Sequence, residues 1–445
     1  MTKNKKINIG LIGFGTIGSG VYKILTESKD VIKDRLGTEL VLKRVADKDI
    51  TTDRGIGEDK SLLTSDANDI LNDPEIDIVI ELVGGTGIAK DFVMTAIANG
   101  KHVVTANKAL ISAHGKEIFE ASVAKNVDIG FEASVAGGIP VIKALREGLS
   151  ANRIDSIYGI INGTANYILT KMTNEGSDFG DVLKAAQEKG YAEADPTFDI
   201  EGNDTAHKLA ILINLAYGTY KTDADIFTEG ISSITGLDLK LAGEFGYVVK
   251  LLAIAKAHPD GQIEARVHPT MLPKDHPLAK VDGVYNAVYI EGDAVGPTMH
   301  YGMGAGMMPT ASAVIADVMD IARDIVSDSI GRVTPLGHAK EAIKDIAIRP
   351  MDETRVPYYM RFLVKDAPGV LSKITGILGE HNISISLVTQ KGLAESESAG
   401  VSVGVSLVIV THQAKEWEMC EALEKIEALD STIAKGMIIR IEESL

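Results

Sequence analysis

At 445 residues, 45% apolar and 24% charged, the chain is sized and composed for two or three globular domains with ample core. Its formal net charge of −17 argues against nucleic acid or an anionic membrane as partner, because both select a basic face. A single cysteine, Cys420, allows no internal disulfide and no cysteine-built metal site, which fits the reducing cytoplasm. Lys3, Lys5 and Lys6 mimic the basic start of a secretory signal, but 7–20 is broken by five glycines and has no clean apolar core. No run reaches membrane-spanning length.

The first element is a short buried strand over 7–12. It runs into Gly13, Phe14, Gly15, Thr16, Ile17 and Gly18, followed by a helix over 21–27. G-x-G-x-x-G between strand and helix is the setting in which this motif indicates a dinucleotide. Gly13 permits the tight turn, Gly15 lets backbone approach a pyrophosphate, and Gly18 lets helix and strand pack closely. The helix N-terminus supplies N–H groups to the phosphates. The second strand is expected over 40–46 and ends at Asp47, the position of an acid that accepts from the adenosine ribose and favours NAD. Lys48 can pair with a 2'-phosphate, so NADP stays open. Asp47 follows Gly18 by 29 residues rather than about 20, an excess ascribed to an insertion over 28–37.

Further strands are expected over 76–83 and 101–105, their ends lining the crevice of an open parallel sheet. His102 is taken as a surface residue at a strand start. Thr105-Ala106-Asn107-Lys108 follows at a strand end, where a nicotinamide would lie, and this favours Lys108 as a site residue over a surface one. Glu132 to Pro140 is a glycine-containing turn into a helix, in its plainest form a domain junction. A strand over 154–161 and helices over 181–190 and 204–216 come next.

Between those helices, E-A-D-P-T-F-D-I-E-G-N-D-T-A-H-K (193–208) gathers five carboxylates around a Pro-broken turn. Asp204 and Lys208, four apart, share one helical face. A carboxylate cluster around one lysine suits a substrate that carries an ammonium and must exchange a proton. The bland alternative is a solvated acidic loop with a surface ion pair. His207 is the decoy: helical neighbours point about 100° apart, so it is taken as structural. The run 248–255 is expected to be a core helix. Later strands are expected to return to a mixed sheet that also builds a subunit interface. Gly302-Met303-Gly304-Ala305-Gly306 is a second glycine-rich loop before a helix over 311–326. After a linker at 346–356, strands at 358–364, 382–389, 402–410 and 437–441 interleave with helices at 371–380 and 417–429. The order βαββαβ describes a ferredoxin-like fold; 391–400 is a polar loop without assigned role.

V-V-T-A-N-K (103–108), E-A-S-V-A-G-G-I-P (132–140), N-G-T-A-N-Y-I-L (162–169) and G-Y-A-E-A-D-P (190–196) with its D-x-x-x-K continuation together resemble homoserine dehydrogenase over essentially the whole length. D-x-P-G-V-L and N-I-S-I in the C-terminal part resemble an ACT regulatory domain. The resemblance implies an α/β architecture: a Rossmann-type doubly wound dinucleotide domain (1–135, with a return segment at about 305–345), an inserted α+β catalytic and dimerisation domain (136–304), and the ACT domain (357–445). It implies reversible NAD(P)-dependent interconversion of L-homoserine and L-aspartate 4-semialdehyde, within threonine, methionine and isoleucine biosynthesis. Lys208 is then the acid/base, with Lys108, Glu193, Asp204 and Asp199 around the substrate. Gly190 touches cofactor and substrate, and Thr105 and Gly306 lie by the cofactor. A second ammonium, Lys108, and partial burial would draw the Lys208 pKa down from about 10.4. A monovalent cation, Na+ or K+, is implied at backbone carbonyls of Glu132, Val135, Gly137 and Ile139. L-Threonine is the expected effector at Asp366, Gly369, Val370, Asn382 and Ile383, in a homodimer or homotetramer. The rivals are another amino-acid oxidoreductase with an ACT tail, such as phosphoglycerate dehydrogenase, and a non-catalytic amino-acid sensor. The G-x-G-x-x-G at residue 13 counts against the first, and the retained lysines and carboxylates against the second.

Overall fold

The computed structural model describes residues 6–55, 59–392 and 404–443; Lys3, Lys5 and most of the polar loop at 391–400 lie outside them. The chain forms two compact units, Met1–Gly163 with Asn203–Ile226 and Val284–Ile346, and Thr164–Gly202 with Phe227–Gly283 and Ala347–Leu445.

In the first unit, β1 (Ile7–Ile12) leads to α1 (Thr16–Glu27), α2 (Lys29–Leu36) and β2 (Leu40–Ala46). β3 (Leu63–Thr64), α3 (Asn68–Leu71), β4 (Ile78–Glu81), α4 (Ile88–Ala98), β5 (His102–Thr105), α5 (Lys108–Lys125) and β6 (Ile129–Gly130) follow. The strands form one parallel sheet in the order β3-β2-β1-β4-β5-β6, the doubly wound order whose reversal beside β1 opens a ligand crevice. The apolar faces of β1, β4 and α1 bury Ile9, Leu11, Ile78, Ile80 and Val21 against Val314 and Val318 of the helix Met307–Ser327. That helix lies so close to α1 that a Cβ on Gly20 would stand 2.9 Å from Met307. The segment 28–37 is thus not a bare insertion: most of it is α2, closed by Gly37 in the left-handed conformation. His102, expected at the surface, is buried, and its Nδ1 accepts the Asp128 N–H at 2.9 Å. The unit also holds three antiparallel strands, Ile154–Ile160, Tyr285–Gly292 and Gly296–Met303.

In the second unit, 248–255 is not a helix. Tyr247–Ala257 is an eleven-residue strand paired antiparallel along its full length with Ile263–Pro273. Its middle is buried on both faces, which removes the alternation that marks a half-exposed strand, and a continuous apolar run has no period of its own. The C-terminal module forms a four-stranded antiparallel sheet ordered Met437–Ile441, Tyr358–Val364, Val405–Thr411, Ile385–Gly392. The helices Val370–Glu380 and Glu416–Glu427 close its core through Ile374, Leu378, Met419 and Ile426. Among the described residues, no helix is long and apolar enough to cross a membrane.

Candidate active site

The turn between β1 and α1 leaves no room for larger residues at two of its glycines. Gly13 has φ +100°, and a Cβ there would stand 2.7 Å from the Leu82 carbonyl carbon. On Gly18 it would stand 2.3 Å from the Gly13 oxygen. Above Gly15 nothing lies within 4 Å of that position. No side chain caps α1, so its first N–H groups are left for an anion such as a pyrophosphate. These residues therefore fit a dinucleotide. Asp47, at the end of β2, accepts the Phe14 N–H at 2.5 Å and the Asp49 N–H at 2.9 Å, and pairs with Arg54 at 3.1 Å. Arg54 also donates to the Phe14 carbonyl. It lies beyond the strand in irregular chain, and no local motif marks it.

The ends of β4 and β5 are locked by a fully buried carboxylate. Glu81 accepts from the N–H groups of Val83 (2.7 Å) and Gly84 (3.1 Å) and from the Thr105 hydroxyl (2.7 Å). Thr105 Oγ1 in turn accepts the Asn107 N–H at 3.0 Å. Asn107 caps α5 through the Leu110 N–H and donates to the Gly85 carbonyl. Such a cap stabilises a helix by about 1 kcal/mol and here makes Lys108 the first helical residue.

Lys108 and Lys208 meet on one carboxylate. Asp204 opens the helix Asn203–Tyr217; its Oδ1 lies 2.7 Å from Lys108 Nζ and its Oδ2 2.7 Å from Lys208 Nζ. Asn162 donates to Oδ2 at 2.8 Å, and Lys208 donates to the Ile161 carbonyl at 2.7 Å. Burial pushes the Asp204 carboxyl up, but the two ammoniums outweigh it and hold the group well below the usual carboxylate range. Lys208 is buried, whereas Lys108 keeps 36% of its side chain exposed, open to a ligand. His207 pairs with Asp223 at 3.2 Å. No spacing in the sequence marks Asn162 or the Ile161 carbonyl as a site residue, although Asn162 opens N-G-T-A-N-Y-I-L.

Gly190, Glu193 and Asp199 belong to the second unit. Gly190 ends its helix with φ +72°. Glu193 is exposed, its carbonyl accepting from Gln187 at 3.1 Å. Asp199 accepts from Thr164 Oγ1 at 3.1 Å.

In the turn after β6, the Glu132 carboxylate caps the next helical turn through the N–H groups of Ile142 and Lys143, both 2.8 Å. Burial pushes Glu132 up, and burial together with the Glu132 charge pushes Asp317 up to about 7. Asp317 accepts the Glu132 N–H. The carbonyl of Ile139 accepts the Val141 N–H, and that of Glu132 takes a long 3.4 Å bond from Val135. The carbonyls of Val135 and Gly137, both buried residues, accept no hydrogen bond among the described residues. Hard, unpartnered oxygens of this kind suit a monovalent cation. Among the described residues no His, Cys, Asp and Glu cluster is arranged for a metal ion. Gly306 caps the helix Met307–Ser327 at φ +122°.

In the C-terminal module, Gly369 precedes the helix Val370–Glu380 in the left-handed conformation, with exposed Asp366 three residues before it. Asn382, also left-handed, and buried Ile383 follow the same helix. Eleven helical residues span about 16 Å, so within one chain these two groups do not converge.

A family model described as the homoserine dehydrogenase NAD-binding domain matches residues 13–132. The homoserine dehydrogenase model itself matches 140–319, and an ACT domain 358–415. A homoserine dehydrogenase of Neisseria gonorrhoeae is 47% identical over 98% of this chain and 99% of its own. A homoserine dehydrogenase structure from Thiobacillus denitrificans superposes with a TM-score of 0.91 at 47% identity, covering both chains completely. A hyperthermophilic archaeal homoserine dehydrogenase in complex with NADPH superposes with a TM-score of 0.61 at 27% identity, over 71% of this chain and 98% of its own. With the dinucleotide crevice, the lysine–aspartate–lysine cluster and the C-terminal module in place, the chain belongs to the homoserine dehydrogenase family of oxidoreductases.

Proposed function

We propose that the chain interconverts L-homoserine and L-aspartate 4-semialdehyde with Lys208 as acid/base, and that the carboxylate shared by Lys108 and Lys208 is the observation that carries this assignment. A bound nicotinamide would supply or accept the hydride. Lys208 handles the proton at the substrate oxygen. Its contacts with Asp204 and the Ile161 carbonyl stabilise the ammonium, the form that donates when the aldehyde is reduced. In oxidation the same nitrogen takes the alcohol proton. Lys108, the more exposed ammonium, orients the substrate oxygen, and Asp204 fixes both lysines. Glu193 and Asp199 bind the substrate ammonium, and Gly190 touches cofactor and substrate. Lys208→Ala is expected to lower kcat by about 10^2 to 10^4 with cofactor binding, measured by fluorescence titration, retained. A kcat within about threefold of the parent at saturating substrate would sink the assignment.

The cofactor is held by residues 13–18, Asp47, Thr105 and Gly306, and NADP is preferred. Asp47 braces the glycine turn, and Arg54 beside it with exposed Lys48 supplies positive charge for a 2'-phosphate. The NADPH complex of the archaeal relative supports this. A monovalent cation binds the carbonyls of Glu132, Val135, Gly137 and Ile139. Functionally the chain divides into 1–135 with 305–345, 136–304, a linker at 346–356 and the regulatory module 357–445. The enzyme works in the cytoplasm as a homodimer or homotetramer and is inhibited by L-threonine. Asp366, Gly369 and Val370 of one copy and Asn382 and Ile383 of another would grip the effector together, since one helix separates the two groups within a chain.

A further inference from the structure

A cleft of about 580 Å3 opens in the first unit, within the range of about 300–1,000 Å3 of small-molecule sites. Its apolar floor comes from Phe119 of α5 and from Leu336 and Ile343 of the segment 334–345. Its rim is basic. Lys116 lies over the Tyr220 ring, 5.8 Å from its centre. Lys340 and Lys344 are exposed, and among the described residues neither makes an ion pair. Two carboxylates also line the cleft, Glu120 and Asp345. Asp345 is already neutralised by Lys221 at 2.6 Å. In a chain of net charge −17, this rim is locally of the opposite sign.

The cleft is joined to the active site by both helices that carry it. α5 starts at Lys108 and reaches the cleft with Lys116 and Phe119. The helix Asn203–Tyr217 carries Asp204 and Lys208 near its start, and its Leu215 carbonyl accepts from His338 of the cleft wall at 2.8 Å. Tyr220 stands three residues before Asp223. Asp223 accepts from the Ser112 hydroxyl of α5 at 3.0 Å and pairs with His207 of the other helix at 3.2 Å. Tyr220, in the cleft wall, and Asp223, bound to both helices, thus belong to one short connection.

We propose that this cleft is a regulatory site for a small organic anion with an apolar body, such as an aromatic or branched aliphatic carboxylate. The anionic group meets Lys340 and Lys344, and the body lies on Phe119, Leu336 and Ile343. Electrostatic attraction at such a rim supports the selection of anions, and the occupant couples to catalysis through Tyr220 and Asp223.

The test uses the full-length enzyme and 8-anilinonaphthalene-1-sulfonate, an anion with an apolar body. Both oxidised cofactors are kept at saturation so that the nucleotide crevice is closed to the dye. One saturable site is expected. Lys340→Glu with Lys344→Glu should weaken it at least tenfold, as should Ala124→Trp, which fills the cleft from an exposed position. Both variants should keep the parent kcat without dye. Saturating dye should change kcat or the KM for homoserine at least twofold in the parent and not in the variants. Absence of saturable binding, equal affinity in both variants, or binding without a kinetic change each overturns the proposal.

Discussion

Asp204 holds two lysines that would otherwise repel, and at the residue scale that is the centre of the molecule. Its carboxyl is held below its ordinary range by Lys208 and Lys108 against the cost of burial. Its stabilising contribution is therefore fully present above about pH 4 and fades only as the pH falls further. Asp204→Asn leaves the buried Lys208 without its counter-charge, a change that costs about 3–5 kcal/mol for buried pairs. The variant should melt lower and lose turnover at temperatures where it is still folded. An unchanged melting temperature would mean that water already solvates the cluster. Arg54 is the second residue with a specific consequence. Arg54→Ala should lower the ratio of kcat/KM for NADP to that for NAD at least tenfold. If the ratio holds while both values fall, Arg54 only braces the Phe14 turn.

At the level of elements, the strand Ile263–Pro273 carries a buried charged row. Arg266 donates to Glu264 at 2.7 Å, to Glu442 at 2.9 Å and to His268 at 2.8 Å. Burial, with the nearby Arg440 and Arg266 charges, keeps His268 well below the ordinary histidine range and hence neutral. The unfolded chain takes up a proton at about pH 6.5 that the folded one refuses, so stability is lost as the pH falls below that value. The urea midpoint of the parent should drop between pH 7.5 and 5.5, and less so in His268→Gln. Equal slopes would assign the drop to other groups. The same strand shows why elements are harder to recover than motifs: its partner Tyr247–Ala257 is apolar on both faces, so its type depends on what pairs with it.

At the scale of the whole molecule, the ACT module is not an appended bead. In the second unit, Thr270 and Met271 pair with Arg440 and Ile441 of the last strand, and Glu442 binds both Arg266 and Lys256. The Asp238 carboxylate, on a helix of the same unit, likewise holds Arg361 and Tyr359 of the module. Truncation near residue 350 would strip four strands from the sheet, bare the edge of Ile263–Pro273 and leave these buried charges unpaired. We expect the truncated chain to aggregate or melt well below the parent, so that loss of threonine response in it proves little. Asn382→Ala, exposed and outside that core, is the cleaner variant. It should weaken inhibition by millimolar threonine at least fivefold with kcat unchanged. A full-length enzyme indifferent to threonine would make the module an interface only.

The sequence by itself determined the local chemistry. The strand–G-x-G-x-x-G–helix unit, the Asp204–Lys208 register and the alternating strand 358–364 are written in short periods and spacings, and those residues hold the same places in the fold, whereas the strand expected over 382–389 forms at Ile385–Gly392. The bounds 40–46, 358–364 and 437–441 recur unchanged in the structure. What spacing could not supply are partners far apart in the chain. Arg54 reaches Asp47 across an irregular loop, Asn162 reaches Asp204 over 42 residues, and Asp317 reaches Glu132 over 185. His102 is bonded by Asp128, which the chain brings back to it after α5. Burial, and with it the charge state of Asp204, Asp317 and His268, depends on the whole packed environment. Desolvation sums over every neighbour, and most of those neighbours are distant in sequence.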